Sequence, residues 1–309
     1  MEQNNGLVIK STGSRYTVLT EGGELVICRI RGKIRLQGIK STNPVSVGDR
    51  VVFDAEPNGE GVISEIKERR NYIIRKATNL SKESHIIAAN VDQAVLIITI
   101  NYPMTSRVFV DRFIAASEAY GIPVTLVFNK TDRYDEKHLQ ILNEWRELYE
   151  GIGYKTLAVS AKKQEDLSEI ETLLKDKISV LSGHSGVGKS TLINRVEPGL
   201  NLKTAEISAI HQSGKHTTTF AEMHALSFGG YIIDTPGIRG FGLIHIEKEE
   251  LYHYFKEIFK YAKDCRFNNC THYSEPGCSV KEAVEDGKIA YSRYESYLSI
   301  LLNRNEKYR

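Results

Sequence analysis

The sequence predicts a multi-domain protein with an N-terminal β-barrel, a central α/β domain and a C-terminal α-helical domain. Three observations predict this fold class. Short alternating strands occupy the first part of the chain, a glycine-rich phosphate-binding motif follows an apolar strand in the second half, and three cysteines lie close together near the C-terminus. A chain of 309 residues has room for two or three domains. We expect boundaries at 1–72, 73–242 and 243–309.

The N-terminal segment has the pattern of a small five-stranded barrel of the OB type. Five short runs, separated by turns that contain glycine, are predicted to be strands at 7–10, 16–19, 25–30, 50–54 and 61–65. OB folds often bind oligonucleotides through a strand face and its loops. We therefore expect an RNA-binding domain.

The charge of this segment supports the RNA-binding hypothesis. The chain carries a formal net charge of only +2, yet residues 1–80 hold 13 Lys and Arg against 9 Asp and Glu. Five cations occur with no acid between them, namely Arg29, Arg31, Lys33, Arg35 and Lys40. Because they alternate with apolar residues, one face could meet phosphates. The alternative is a solvated edge whose charge protects the sheet from aggregation.

From about residue 90 the pattern changes to strands that alternate with helices. Strands are predicted at 93–100, 124–128, 155–159, 178–181 and 231–234, and helices at 106–120, 136–150 and 166–175. This alternation predicts a mostly parallel sheet covered by helices on both faces. The segment 197–214 has no clear period, as expected for a switch region. Two more helices are predicted at 247–262 and 288–303.

A phosphate-binding loop follows the strand at 178–181. Its residues are Gly183, His184, Ser185, Gly186, Val187, Gly188, Lys189, Ser190 and Thr191, and a helical pattern begins at its end. The glycines let successive amides point at the β-phosphate of a nucleotide. Lys189 is expected to bridge the β- and γ-phosphates, and the Ser190 hydroxyl to ligate Mg²⁺.

A guanine-recognition motif follows the strand at 124–128 and consists of Asn129, Lys130, Thr131 and Asp132. The Asp132 carboxylate can accept from guanine N1–H and from the 2-amino group, whereas adenine would leave it unpaired. Asn129 is expected to orient the loop and face the base, and the Lys130 stem to pack on the ring. A second base-contacting loop is predicted at Ser160, Ala161 and Lys162.

The switch elements lie downstream of the phosphate-binding loop. Asp234 is expected to hold Mg²⁺ through water, and the Gly237 amide to sense the γ-phosphate. Between them and the loop lie His216 and Thr218, of which Thr218 is one of three candidate threonines for Mg²⁺. Ile238 stands where many GTPases have the Gln that orients the attacking water. We therefore expect slow intrinsic hydrolysis, with the water positioned by His216 or by a partner.

The order of these motifs is that of a circularly permuted P-loop GTPase. In the usual numbering of the five GTPase elements, the order along this chain is G4-G5-G1-G2-G3, because Asn129 to Asp132 precede Gly183 to Ser190. The last switch element therefore continues into the C-terminal domain. We hypothesise that loss of the γ-phosphate at Gly237 reorients that domain.

The C-terminal domain contains a set of metal-ligating residues. Cys265, Cys270, His272 and Cys278 offer three thiolates and one imidazole within fourteen residues, which suits a closed tetrahedral site for one structural Zn²⁺. Cys28 stands alone and is expected to be a core residue.

The apolar runs are too short to span a membrane, and the N-terminus lacks the pattern of a signal peptide. We expect a cytoplasmic protein, monomeric, with no membrane partner.

With these motifs, the chain resembles the family of the ribosome small-subunit-dependent GTPase A, RsgA, also called YjeQ. The resemblance covers essentially the full length, from the OB-like N-terminus through the permuted motifs to Cys265, Cys270, His272 and Cys278. It implies GTP hydrolysis stimulated by the small (30S) ribosomal subunit and a role in late maturation of that subunit. It also implies contacts of both terminal domains with ribosomal RNA.

Other functions stay open at this point. One is a GTP-gated RNA-binding checkpoint protein in which hydrolysis only resets the state. A second is a permuted GTPase that acts on the large subunit, although the flanking barrel and metal domain make this less similar. A P-loop kinase for a small molecule is disfavoured by the guanine motif.

Overall fold

The N-terminal domain is a closed five-stranded barrel. The computed structural model describes residues 3–30, 44–76, 84–202, 222–234 and 247–302. The barrel strands are β1 (Gln3–Ser11), β2 (Tyr16–Thr20), β3 (Leu25–Ile30), β4 (Arg50–Ala55) and β5 (Gly61–Ile66). They pair in the order β1-β2-β3-β5-β4, and β4 pairs back to β1, which closes the barrel. The prediction of an N-terminal five-stranded barrel is confirmed.

Alternate side chains of the five strands fill the barrel core. Val8, Tyr16, Phe53 and Ile63 are fully or almost fully buried there, and so is Cys28, as the sequence predicted. Gly61 allows a close approach of two strands, because a Cβ at this position would lie 2.6 Å from the Cys28 sulfur. Glycine at the start of β5 therefore lets β3 and β5 pair closely.

A hairpin that the sequence analysis missed connects the barrel to the central domain. It consists of β6 (Tyr72–Lys76) and β7 (Ser84–Ala89). Both strands contain short apolar doublets without regular alternation, so no period of two is visible. Next to the hairpin, the buried Asp49 carboxylate pairs with Arg69 at 2.6 Å, which fixes the end of the barrel.

The central domain is a mostly parallel sheet covered on both faces. Its strands are β8 (Gln93–Ile98), β9 (Val124–Phe128), β10 (Lys155–Ala158), β11 (Ile178–Ser182), β12 (Glu222–Ala225) and β13 (Tyr231–Asp234). Their order is β10-β9-β8-β11-β13-β12, with only β12 antiparallel. β12 also pairs with β1, so barrel and domain share one continuous sheet. The predicted α/β architecture is confirmed.

Four described helices flank this sheet, and they follow the predicted alternation. They are α1 (Arg107–Ala119), α2 (Glu136–Ile152), α3 (Ser168–Leu174) and α4 (Lys189–Val196). Neighbouring residues of β8 pack into two different apolar layers: Leu96 lies in one, and Val95 and Ile97 lie in the other. Because successive strand residues point to opposite faces, a strand between two helix layers is apolar along nearly its whole length.

The C-terminal module, residues 247–302, is helical but differs from the prediction. One helix was predicted over 247–262, and that prediction is wrong, because a 3-10 helix over Lys248–Tyr254 is followed by a separate α5 (Lys256–Ala262). Phe255 separates the 3-10 helix from α5, because its backbone is extended and its side chain is fully buried. The short helix α6 (Ser279–Glu285) was missed, and the last helix, α7 (Tyr291–Leu301), begins three residues later than predicted.

A buried ion-pair network attaches this module to the central domain. The fully buried Arg293 on α7 donates to Asp111 on α1 at 2.6 Å and to Glu257 on α5 at 2.5 Å. Tyr149 on α2 donates its hydroxyl to the same Asp111 oxygen at 2.7 Å. Burial alone would lower the pKa of Arg293, but the two carboxylates outweigh it and raise the pKa. The network therefore holds four helices together.

Within the described residues, no helix is both long and apolar enough to cross a membrane.

Replacing this arginine is expected to loosen the module. Arg293→Ala leaves two carboxylates without their cation, which should cost about 3–5 kcal/mol of folding free energy. The single tryptophan, Trp145, lies on α2 with its ring 6.3 Å from that of Tyr149, so its fluorescence during urea unfolding reports the change. Lys288→Ala, which removes an exposed ion pair in the same module, is the control and should leave the midpoint unchanged. Equal midpoints for the two variants would contradict this account.

Candidate functional site

The phosphate-binding loop connects β11 to α4, as predicted. Gly186 and Gly188 have positive φ angles of 84° and 93°, which glycine adopts without strain. At Gly183 a Cβ would collide with the carbonyl of Ile97 on β8, so the loop also requires glycine to pass the neighbouring strand. Ser190 is buried in the first turn of α4. The amides at the start of α4 are therefore held in the arrangement that binds phosphate.

The buried Asn129 side chain brings three loops together. Its amide nitrogen donates to the Val187 carbonyl of the phosphate-binding loop at 2.8 Å, and its amide oxygen accepts from the Ala161 amide at 2.9 Å. The loops follow β9, β10 and β11, whose carboxyl ends lie at one edge of the sheet. The two base-recognition motifs and the phosphate-binding loop thus form one site, although 58 residues separate Asn129 from Val187.

Lys130 and Asp132 complete the base-recognition loop. The Lys130 ammonium donates to the carbonyls of Tyr102 and Gly186, and burial, followed by the charge of Arg133, lowers the pKa of Lys130. The exposed Asp132 carboxylate accepts from the Ser160 hydroxyl at 2.6 Å. The carboxylate is therefore held at the rim of the site, where a base can reach it.

Two supporting residues were missed by the sequence analysis. The buried Tyr134 hydroxyl accepts from the Ile100 amide at 2.8 Å and donates to the Asn129 carbonyl at 2.7 Å. Arg195 on α4 donates to the Ala161 carbonyl at 3.1 Å. Both side chains hold the backbone of the base-recognition loops in place. No motif identifies them, because their contacts depend on how the strands are arranged in space.

The switch residues are only partly within the described structure. Asp234 is the last residue of β13, which pairs in parallel with β11 directly before the phosphate-binding loop. Its backbone therefore lies at the same sheet edge as Ser190 and the half-buried Lys189. His216, Thr218 and Gly237 lie outside the described residues.

Only one of the five predicted RNA-binding cations lies within the described residues. Arg29 lies on β3, is exposed, and forms an ion pair with Glu56 at 2.6 Å. On the same strand Leu25 and Ile27 are exposed as well. The face of β3 is thus mixed apolar and basic, with part of the Arg29 charge balanced by Glu56. The other four, Arg31, Lys33, Arg35 and Lys40, lie outside the described residues.

The predicted metal ligands come together in the C-terminal module. The ligand atoms of Cys265, Cys270, His272 and Cys278 all lie within 4.8 Å of one another. The Nδ1 atom of His272 is 3.5 Å from the sulfurs of Cys265 and Cys278, and those sulfurs are 3.9 Å apart. Tetrahedral Zn²⁺ would require edges of about 3.6 Å between nitrogen and sulfur and about 3.8 Å between sulfurs. The cluster therefore fits a tetrahedral metal ion.

Surrounding side chains hold the ligand loop in place. Tyr294 and Tyr297 on α7 donate their hydroxyls to the carbonyls of His272 and Thr271 at 2.6 and 2.7 Å. Burial alone would raise the pKa of Glu275, but hydrogen bonds from the Thr271 hydroxyl and from nearby amides outweigh it and lower the pKa to about 2. Burial lowers the pKa of His272, which favours the neutral imidazole that ligates metals.

The fold and the site together define a class of protein. A parallel sheet carries a phosphate-binding loop after β11 and guanine-recognition loops after β9 and β10, with the base motif first along the chain. This is the arrangement of a circularly permuted P-loop GTPase, preceded by a five-stranded barrel and followed by a module whose Cys and His cluster could hold a metal ion.

Comparison with known proteins identifies the family. The chain matches the family model of the RsgA GTPase over residues 66–244 and that of the RsgA N-terminal domain over residues 5–63. The chain belongs to the RsgA GTPase family. It is 56% identical over 305 residues to the small ribosomal subunit biogenesis GTPase RsgA of Bacteroides fragilis, with 98% of each chain covered. It is 52% identical over 307 residues to the protein of that name from Christiangramia forsetii, again with 98% of each chain covered.

Solved structures agree with this assignment. The crystal structure of YjeQ from Thermotoga maritima matches with a TM-score of 0.80 and 39% identity, and the match covers 98% of each chain. YloQ, a circularly permuted GTPase, matches with a TM-score of 0.76 and 33% identity over 99% of this chain and 98% of its own. The similarity therefore includes the C-terminal module, which lies beyond the two family models.

Proposed function

We propose that this protein is a GTP-hydrolysing enzyme that acts on the small (30S) ribosomal subunit during its late maturation. The observation that carries the GTPase assignment is the Asn129 side chain, which joins the base-recognition loops to the phosphate-binding loop. The ribosomal part rests on the relatives, which are named small ribosomal subunit biogenesis GTPases and align over nearly the whole chain.

Guanine selectivity is assigned to Asp132, whose carboxylate is oriented by the Ser160 hydroxyl. It would accept from N1–H and the 2-amino group of guanine, whereas ATP would leave it without a donor. The remaining residues of the base site are Asn129, Lys130, Thr131, Ala161 and Lys162. Lys130 is held against the phosphate-binding loop by its bond to the Gly186 carbonyl, so its stem can lie along the base.

The phosphates are assigned to Gly183 through Thr191, with Lys189 as the charge that stabilises the leaving β-phosphate and the transferred γ-phosphoryl group. Asp234 is the last residue of β13, and Ser190 lies on α4 after the loop that follows the neighbouring strand β11; both side chains offer oxygen ligands, a set that suits Mg²⁺. Bound Mg²⁺ would neutralise charge on the β- and γ-phosphates. Thr218 is proposed as its switch ligand, Gly237 as the γ-phosphate sensor, and His216 as the residue that positions water.

The nucleotide state is proposed to control association with the subunit and release from it. Ile238 cannot orient water, so the isolated enzyme would turn over slowly until the subunit orders the switches. The barrel is proposed to bind ribosomal RNA through Arg29, Arg31, Lys33, Arg35 and Lys40. We retain the proposed domain limits of 1–72, 73–242 and 243–309, a monomer, and a cytoplasmic location.

Two other functions make different predictions. If hydrolysis only resets a checkpoint, Ser190→Ala would still bind the subunit but would not be released from it. If the protein acts on the large subunit, that particle would be the one that stimulates hydrolysis.

The direct test is GTP hydrolysis measured with purified small subunits, with large subunits and with neither. Small subunits should raise the rate by roughly ten-fold or more, because they order the switches and so position the attacking water, which Ile238 cannot orient. The other two rates should stay low. Lys189→Ala should be inactive in all three reactions. Equal rates in all three reactions of the unmodified enzyme would remove the ribosomal assignment.

The metal is proposed to be a single structural Zn²⁺, because three thiolates and one imidazole leave no open coordination position. Purified protein should contain about one equivalent of zinc by mass spectrometry. Cys270→Ser should lose most of this zinc and unfold the ligand loop, which has few apolar side chains of its own. Cys28→Ser, a buried cysteine of the barrel, is the matched control and should keep its zinc. Retention of zinc by Cys270→Ser would contradict the assignment.

A further inference from the structure

The loop that follows β8 lies beside the nucleotide site but contains none of the predicted site residues. This β8–α1 loop, residues 99–106, connects the end of β8 to the N-cap of α1. Its ends are tied together, because the Thr105 amide donates to the Thr99 carbonyl at 3.0 Å and the Thr99 amide donates to the Thr105 hydroxyl at 3.2 Å. A Cβ added to Gly186 would lie 3.5 Å from the Pro103 Cδ atom. The loop is therefore a closed unit that packs against the phosphate-binding loop.

The β8–α1 loop also contacts the base-recognition motif directly. The Lys130 ammonium donates to two carbonyls, that of Gly186 and, at 2.6 Å, that of Tyr102. A lysine ammonium is a point charge with three donors on a flexible stem. Two acceptors on different loops restrict its direction more than one acceptor does. The Tyr102 carbonyl is therefore one of the two points that set the path of the Lys130 stem.

The Tyr102 backbone adopts a conformation that needs support. Its φ angle is 64°, in the left-handed region that residues other than glycine rarely adopt. The Asn101 side chain supports it, since its amide oxygen accepts from the Tyr102 amide at 2.9 Å. The Tyr102 ring is held as well, with the Arg133 guanidinium 4.4 Å from its centroid. Backbone in this region persists where the surrounding structure maintains it, and it is concentrated at functional sites.

The Asn101 amide is itself oriented by His138 on α2. Its nitrogen lies 2.9 Å from the His138 Nε2 atom. Because its oxygen faces the Tyr102 amide, the Asn101 nitrogen is the donor and Nε2 is the acceptor. A neutral imidazole that accepts at Nε2 carries its hydrogen on Nδ1, which lies 2.6 Å from a carboxylate oxygen of Asp135. A chain of polar contacts thus connects the start of α2 with the acceptor of the Lys130 ammonium.

We propose that Asn101 and His138 are positioning residues for guanine recognition. They keep the Tyr102 carbonyl where it receives the Lys130 ammonium, and so keep the lysine stem along the base. The inference rests on the proposed function, in which that stem packs on guanine. Without either side chain the ammonium would be held firmly by only one of its two acceptors, and the bound nucleotide would dissociate faster. Selectivity for guanine would not change, because Asp132 does not take part in these contacts.

The test is the rate at which a fluorescent GDP analogue dissociates from the full-length protein after unlabelled GDP is added in excess. Asn101→Ala and His138→Phe should each release it about 2- to 12-fold faster, the effect of one hydrogen bond. His138→Gln should stay near the unmodified rate, because its amide oxygen can accept from Asn101 where Nε2 does, whereas phenylalanine only fills the space. Met104→Ala is the control in the same loop. Its side chain is 75% exposed, and the rate should not change.

A double-mutant cycle separates positioning from a general loosening of the loop. Lys130→Ala should release the analogue faster, and Asn101→Ala should add nothing further in that background, because the ammonium that it positions is gone. General loosening would instead multiply the two effects. The ratio of the affinities for GTP and inosine triphosphate should be the same in Asn101→Ala and in the unmodified protein, because Asp132 keeps its place.

Three results would overturn the inference. They are an unmodified rate in both Asn101→Ala and His138→Phe, equal rates in His138→Gln and His138→Phe, and multiplied effects in the double variant. In each case a faster rate in Lys130→Ala would leave the proposed function standing. An unmodified rate in Lys130→Ala would have a different meaning, because the proposed role of Lys130 in the base site would then fail and the inference would fail with it.

Discussion

The nucleotide site depends on the buried side chain of Asn129. Its two hydrogen bonds connect three loops that are far apart in the sequence but follow the parallel strands β9, β10 and β11 of one sheet. Because a buried amide that loses a partner costs about 1–3 kcal/mol, the two hydrogen bonds favour the arrangement in which the three loops are held together. Permutation of the chain does not disturb this unit, since only three residues connect α3 to β11 and no site residue lies in that connection. Motif order can therefore change while the geometry of the site is preserved.

The structure adds a second attachment for the C-terminal module. The sequence suggested that the module follows the switch at Gly237 and is reoriented by it, and that remains a hypothesis. The described contacts attach the module to α1 through Arg293 and Asp111. The same N-terminal part of α1 touches the phosphate-binding loop, where the centroids of the Phe109 and His184 rings lie 3.8 Å apart. Any reorientation of the module must therefore either carry α1 along or separate a buried ion pair.

Local sequence patterns were sufficient for the barrel strands, the parallel sheet, the phosphate-binding loop and the four metal ligands. These features rest on short periods, glycine positions and ligand spacing, which are visible in one dimension. The break at Phe255 was not predictable, because the amphipathic pattern of the sequence continues through this residue. The break depends on the Phe255 side chain entering a core that other helices of the module form. The same holds for Tyr134 and Arg293, whose partners lie on other elements. Polar residues buried by tertiary contacts carry no periodic pattern.

The central claim is that this permuted chain assembles one guanine-specific site in which Asp132 reads the base. The most direct measurement is competition of GTP and xanthosine triphosphate against a fluorescent GDP analogue, for the unmodified protein and for Asp132→Asn. The substitution should weaken GTP binding by about 10- to 100-fold, because a carboxylate that accepts two hydrogen bonds is lost. It should strengthen binding of xanthosine triphosphate, whose 2-carbonyl accepts from the new amide. Unchanged GTP affinity in Asp132→Asn would contradict the account.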